Sequence, residues 1–131
     1  MKTKTLRQKV VFASDPHKVY ELLMDAKQHA RFTGGKAAIS RNVGGKFSVF
    51  DGYATGKNIE LIQDKKIVQT WRASDWEEGH YSTVEFTFSP VKRGTALTFV
   101  QKEIPSEQYA SIKRGWHDFY WKPMKGMLEN R

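Results

Sequence analysis

Apolar and polar positions alternate through most of this chain and wind at a helical period only near its two ends. From Thr3 to Ala13, Leu6, Gln8, Val10 and Phe12 share one face, which predicts a first strand. Ser14-Asp15-Pro16 then reads as a helix start, a small polar cap with proline near the first helical position. Val19, Leu22, Leu23 and Ala26 give that helix an apolar face, and a second short helix over Lys27 to Phe32 stops at Thr33-Gly34-Gly35. From Ala37 to Glu103 the pattern is strand and turn. The turns are marked by Gly44-Gly45, Asp51-Gly52, Asp64-Lys65, Glu78-Gly79 and Arg93-Gly94.

The strands between those turns have two distinct faces. Val84, Phe86 and Phe88 alternate with Thr83, Glu85 and Thr87, while Ile67, Gln69 and Trp71 alternate with Val68, Thr70 and Arg72. Leu97 and Phe99 share a face in the last strand. Ser106-Glu107 opens a long final helix, with Ser106 placed to cap it. Tyr109, Ile112, Trp116, Phe119 and Tyr120 recur at three or four residues along one side, and Pro123 interrupts the pattern, so the last turns are expected to kink or loosen. One strand, two short helices, about six antiparallel strands and a long helix make an α+β fold. A strongly curved sheet would bury the aromatic stripe of that helix.

Composition narrows the class. With 131 residues the chain is the size of one domain, 1–131, and it contains no linker, repeat or low-complexity tract. It has no cysteine, which excludes disulfides and thiolate zinc sites and suits a reducing cytoplasm. No apolar run follows the basic N-terminus as a secretory signal would, and none approaches the about eighteen residues of a membrane helix. The formal charge of +8 is spread along the chain, at Lys65-Lys66, Lys92-Arg93 and Lys113-Arg114 among others. Such a pattern is a solvated surface or an attraction for an acidic partner. No nucleic-acid-binding signature accompanies it.

No catalytic set emerges. His17, His29, His80 and His117 are far apart and lack metal-ligand spacing, so no metal or cofactor is expected. There is no nucleophile elbow, and the glycine-rich pieces do not lead into a helix as phosphate loops do. Trp76, His80 and Tyr81 in the Trp76–Ser82 segment read either as aromatics closing a hairpin or as a pocket rim or partner anchor. Trp116, Phe119, Tyr120 and Met124 read as core or as the wall of a cavity. If buried, Trp116 and Tyr120 need polar partners, for which Gln69 and His80 are candidates. Phe32-Thr33-Gly34-Gly35 ends a helix or gates an opening.

The run from Gly44 to Gly56, with four glycines around Phe47-Ser48-Val49-Phe50, is followed by Ile67–Arg72, Trp76–Ser82 and Gly115–Trp121. Together with Phe32–Gly35 and Ile104-Pro105, in that order, this series resembles the homologues of the activator of the heat-shock-protein-90 ATPase. The resemblance implies the helix-grip, START-like fold of the birch-pollen-allergen superfamily, often with a cavity between sheet and helix. Val10, Phe50, Trp71, Phe86, Phe88, Phe99, Trp116 and Tyr120 would line such a cavity, with Trp76 and His80 at its mouth. It implies a non-catalytic, cytoplasmic co-chaperone whose partner is a chaperone of the heat-shock-protein-90 type or another acidic protein. In larger members a separate N-terminal domain, absent from this sequence, precedes a domain of this kind. The alternatives are a binding protein for a small hydrophobic or aromatic ligand and, last, an enzyme acting on one. The protein is expected to be a monomer or a weak dimer, free of nucleic acid and membrane.

Overall fold

A computed structural model describes residues 2–129. Its strands are β1 (Thr3–Phe12), β2 (Ala38–Ile39), β3 (Lys46–Val49), β4 (Ala54–Ile62), β5 (Lys66–Ala73), β6 (Ser82–Val91) and β7 (Gly94–Pro105). They form one antiparallel sheet in the order β1-β7-β6-β5-β4-β3-β2, so β2 to β7 are a meander and β1 returns to pair with β7. Helices α1 (Pro16–Met24) and α2 (Ala26–Thr33) follow β1, and α3 (Tyr109–Trp116) and α4 (Lys122–Glu129) close the chain. This is the helix-grip α+β fold.

Local chemistry explains the short helices. The Asp15 carboxylate accepts from the Lys18 N–H, with Pro16 in the first turn, and Asp25 caps α2 in the same way through Gln28. Gly34 ends α2 in the left-handed conformation, at φ 82°. Register shifts between Lys4 and Leu6 and between Asn58 and Glu60 interrupt the ladder and help the sheet curve. Gly56 lets β4 pass close against β5. A Cβ there would lie 1.8 Å from the Thr70 carbonyl oxygen.

The alternation in β6 holds: Val84, Phe86 and Phe88 are buried, and Thr83, Glu85 and Thr87 face outward. The C-terminal helix departs from regular geometry in two ways. Ser106 caps nothing with its side chain; it opens a 3-10 turn, Ser106–Gln108, ahead of α3. A wide π-turn, His117–Trp121, joins α3 to α4, and the Lys122 N–H bonds back to the His117 carbonyl. Pro123 accounts for this position: it has no N–H for the Phe119 carbonyl, and its ring would collide with that carbonyl in a regular turn. The chain therefore widens and the helix continues.

That widening sets which side chains are inside. Ile112, Trp116, Tyr120, Met124 and Leu128 recur every four residues and would drift around a regular helix of 3.6 residues per turn. The wide turn absorbs the drift, and all five are buried. Phe119, expected on the inner stripe, is instead 55% exposed, and Trp121 takes an inner position at 3%.

Candidate functional site

The concave face of the sheet grips Trp116. Its ring lies 4.4 Å from those of Phe99 and Tyr120 and 5.6 Å from that of Trp121, centroid to centroid. Its indole N–H donates to Gln101 Oε1 at 2.8 Å, Gln101 Nε2 donates to Ser82 Oγ at 2.9 Å, and Ser82 donates to the Trp71 carbonyl at 2.8 Å. Buried polar groups demand such partners. The partners anticipated from sequence are otherwise engaged. Gln69 donates to Asn58 Oδ1 at 3.0 Å, and His80 Nε2 donates to the Glu103 carbonyl at 2.8 Å. Trp121 donates to Gln8 Oε1 at 2.7 Å, which explains a glutamine on the inward face of β1.

Tyr120 pairs with a residue that no sequence signal singled out. Its hydroxyl lies 2.9 Å from Nε2 of His29, which is buried among the rings of Phe32, Phe50 and Tyr120. Burial in these apolar surroundings lowers the His29 pKa to about 4 and raises that of the Tyr120 phenol. His29 is therefore neutral in the fold and takes up a proton on unfolding anywhere between its unfolded value, near 6.5, and about 4. The stability due to its neutral burial is whole above the unfolded value and lost as pH falls through this window. The loss amounts to about 3 kcal/mol. His17 works the other way: its hydrogen bond and charge pairing with Asp64 raise its pKa, so that pairing stabilises at low pH and is lost at high pH. Denaturant titrations at pH 7.5 to 4.5 read the difference. A His29→Gln variant keeps His17 and is expected to lose most of the acid slope; an unchanged slope contradicts the assignment.

The sheet–helix interior is nearly filled. Between His29, Gln69, Trp71, Phe86, Trp116 and Tyr120 a cavity of about 20 Å³ remains, the space of a single water. The larger space lies outside. A cleft of about 310 Å³ separates the β3–β4 turn from α3, with Trp71, Trp116 and Tyr120 standing between it and the interior. Phe50, Tyr53 and Phe119 form its outer walls, and Ser111, Ile112 and Gly115 form the helical side.

Of the side chains anticipated for a binding cavity, Trp71, Trp116 and Tyr120 border both spaces, Phe86 the inner one and Phe50 the outer. Val10, Trp76, His80, Phe88 and Phe99 are outside both walls. Phe99 packs in the core with the half-buried Val10 against it, Phe88 lies edge-on to Tyr20 at 5.5 Å, and Trp76 sits behind Trp71 at 5.3 Å with His80 beyond it at 5.7 Å. Trp76–Ser82 thus closes the β5–β6 hairpin, with Trp76 and His80 away from both spaces, while Tyr81 borders a separate outer groove with Lys46, Lys57 and Thr70. Phe32 is buried on Tyr120 at 5.6 Å and seals this end of the core.

The β3–β4 turn is conformationally unusual. Phe50 and Asp51 are left-handed, at φ 54° and 56°, ahead of Gly52 at 93°. A bulky side chain in that region is strained, by about 1–3 kcal/mol. The strain is held from outside: Asp51 N–H donates to the Lys36 carbonyl at 3.1 Å, and its carboxylate accepts from the Lys36 N–H at 3.0 Å. Gly35 lies so close beneath that a Cβ would come within 2.8 Å of Phe50 Cα. Phe32–Gly35 and the glycine hairpin are therefore one assembly.

Among the described residues no group of three or more His, Asp or Glu could hold a metal, and no helix is long and apolar enough to cross a membrane.

Residues 13–129 match the family model described as Activator of Hsp90 ATPase homolog 1-like protein. The chain is 31% identical to "Activator of 90 kDa heat shock protein ATPase homolog 2" of Mus musculus, over 91% of this chain and 36% of that one. It is 36% identical to the Dictyostelium discoideum homologue of that activator, over 87% of this chain and 30% of the relative. The chain thus spans about a third of the length of the curated relatives it matches. A crystal structure described as an HSP90 activator from Plasmodium falciparum superposes with a TM-score of 0.89 at 28% identity, covering 95% of this chain and 96% of that one. Matched from the end of β1 to the end of α4, with a fold that superposes almost end to end, the chain belongs to the family of Activator of Hsp90 ATPase homolog 1-like proteins.

Proposed function

We propose that this chain is a non-catalytic co-chaperone module, a single START-like unit working in the cytoplasm on a chaperone of the Hsp90 type. The observation that carries this reading is the near-complete match to the Plasmodium falciparum protein, which is described as an HSP90 activator and covered over 96% of its length. The module acts by binding: a higher affinity for the closed, ATP-bound chaperone than for the open one shifts the population toward hydrolysis.

The charge supports a basic partner of an acidic surface. The net +8 is carried outward, with Arg7, Lys9 and Lys102 exposed on β1 and β7 and Lys46 and Lys57 on the outer side of β3 and β4. Charge of one sign steers association and is screened by salt. Calorimetric titration into the chaperone held with a non-hydrolysable ATP analogue tests the reading. Binding is expected to be tighter with the analogue than with ADP and to weaken at least about tenfold between low and high salt. Equal affinity in both nucleotide states, or none in either, overturns it.

A further inference from the structure

We propose that the outer face of β2 to β5 carries a docking site for a phosphorylated serine or threonine in an extended segment of a partner protein. The site is defined by this face of the sheet alone and does not rest on the chaperone reading.

A pair of like charges stands on this face with nothing in the fold to neutralise it. Lys46 on β3 and Lys57 on β4 are exposed and directly opposite in the register of the two strands. Side chains so placed start about 4.5–5.5 Å apart at Cβ, and two like charges there are destabilising. Neither lysine has an ion-pair partner among the described residues. The same face shows the alternative, because Lys66 on β5 is paired with Glu60 at 3.2 Å. Two facing, unpaired ammonium groups suit a single dianion lying between them.

Hydroxyls complete the surroundings. Lys46 and Lys57 border a groove of about 750 Å³ together with Ser48, Thr55, Thr70 and Tyr81, and no carboxylate lines it. Ser48 and Thr55 are paired across β3 and β4. Thr70 Oγ1 accepts the Lys57 backbone N–H at 2.9 Å, which leaves its own proton to donate to a ligand. Arg72, opposite Thr55 on β5, adds positive charge beside the groove. Its guanidinium donates to the Trp76 carbonyl at 2.6 Å and has no ion-pair partner among the described residues.

These donors define the ligand. A phosphate monoester carries a charge of about −1.5 to −2 at neutral pH and three acceptor oxygens, so it matches two ammonium groups and the hydroxyls beside them. A carboxylate would neutralise only one lysine. The groove is open to solvent and runs from Ala38 on β2 to Tyr81, just ahead of β6. Four strand spacings of about 4.8 Å make about 19 Å, the length of about six extended residues. A free phosphate would leave most of that surface bare. A segment lying across the strands covers it, with the ring of Tyr81, 46% exposed, against a flanking side chain.

The probe is an acetylated, amidated seven-residue peptide of alanine and valine with one central phosphoserine. In a titration of the 15N-labelled chain, the amides of Lys46, Ser48, Thr55, Lys57 and Thr70 are expected to shift saturably, with Kd below about 1 mM. The same peptide with serine or glutamate at its centre is expected to bind at least about tenfold more weakly. Lys57→Gln removes one of the facing charges, so it is expected to weaken binding at least about fivefold while Tm stays level or rises. Lys46→Gln is expected to act alike. Lys66→Gln is the control on the same face and is expected to change the affinity by less than about twofold. Absence of a saturable shift, or equal weakening by Lys66→Gln, overturns the site. Equal affinity for the glutamate peptide overturns the phosphate class. Equal affinity for inorganic phosphate, or tighter binding of a six-nucleotide oligothymidylate, overturns the protein segment as its carrier.

Discussion

In a Trp116→Ala variant the free energy of unfolding falls by about 4 kcal/mol or more, the largest loss expected from truncating any one side chain in this fold. Two losses combine. The indole is 3% exposed and packed against Trp71, Phe86, Phe99, Tyr120 and Trp121, and a cavity of this kind costs about 3–5 kcal/mol. Gln101 Oε1 also loses its donor inside the core, for about 1–3 kcal/mol. Trp116→Phe separates the two, because it keeps most of the ring contact and removes the donor. Urea unfolding followed by far-ultraviolet circular dichroism measures both, with the phenylalanine variant expected between wild type and alanine. If the alanine variant lost less than about 1 kcal/mol, Trp116 would not be the centre of the grip.

The second large effect comes from adding one methyl group. Gly56→Ala places a Cβ 1.8 Å from the Thr70 carbonyl oxygen and 2.8 Å from the Phe47 ring. The first obstacle is backbone in a paired strand, so β4 and β5 must separate. A loss of about 3 kcal/mol or more is expected. Gly126→Ala is the matched control. That glycine is exposed in α4, and a methyl group there would have nothing within 4 Å, so alanine is expected to raise stability by about 0.5–1 kcal/mol. Opposite signs for the same substitution in thermal melts would tie the effect to the sheet's curvature.

These positions show which parts of the structure the sequence discloses. Strand faces were legible because one side of each strand is wet: Glu85 cannot share a face with Phe86. The helix starts and stops at Asp15-Pro16 and Gly34 were legible because capping is local chemistry. The resemblance carried the sheet's closure around the last helix. What the pattern misjudged was the phase of that helix after Trp116. Pro123 announces a disturbance without saying whether the chain bends or widens, and only widening turns Phe119 out and Trp121 in. Buried polar partners were harder still. His29 and Tyr120 are 91 residues apart, and nothing in a lone histidine on a short helix announces a phenol across the core. Whether the grip encloses a ligand-sized cavity depends on summed side-chain volumes, which alternation does not report. Apart from room for about one water the interior is filled, and a larger cleft lies on the far side of Trp71 and Trp116.

The central claim is action on a chaperone, and the steady-state ATPase rate of an Hsp90-type chaperone tests it most directly. The rate is followed as this chain is added, with the inhibitor-resistant background subtracted. The account predicts a saturable rise of several-fold that shrinks as salt is raised, with the chaperone's affinity for ATP little changed, because the module favours a closed state rather than supplying a catalytic group. A rate that stays at its basal value with the folded chain in excess contradicts it.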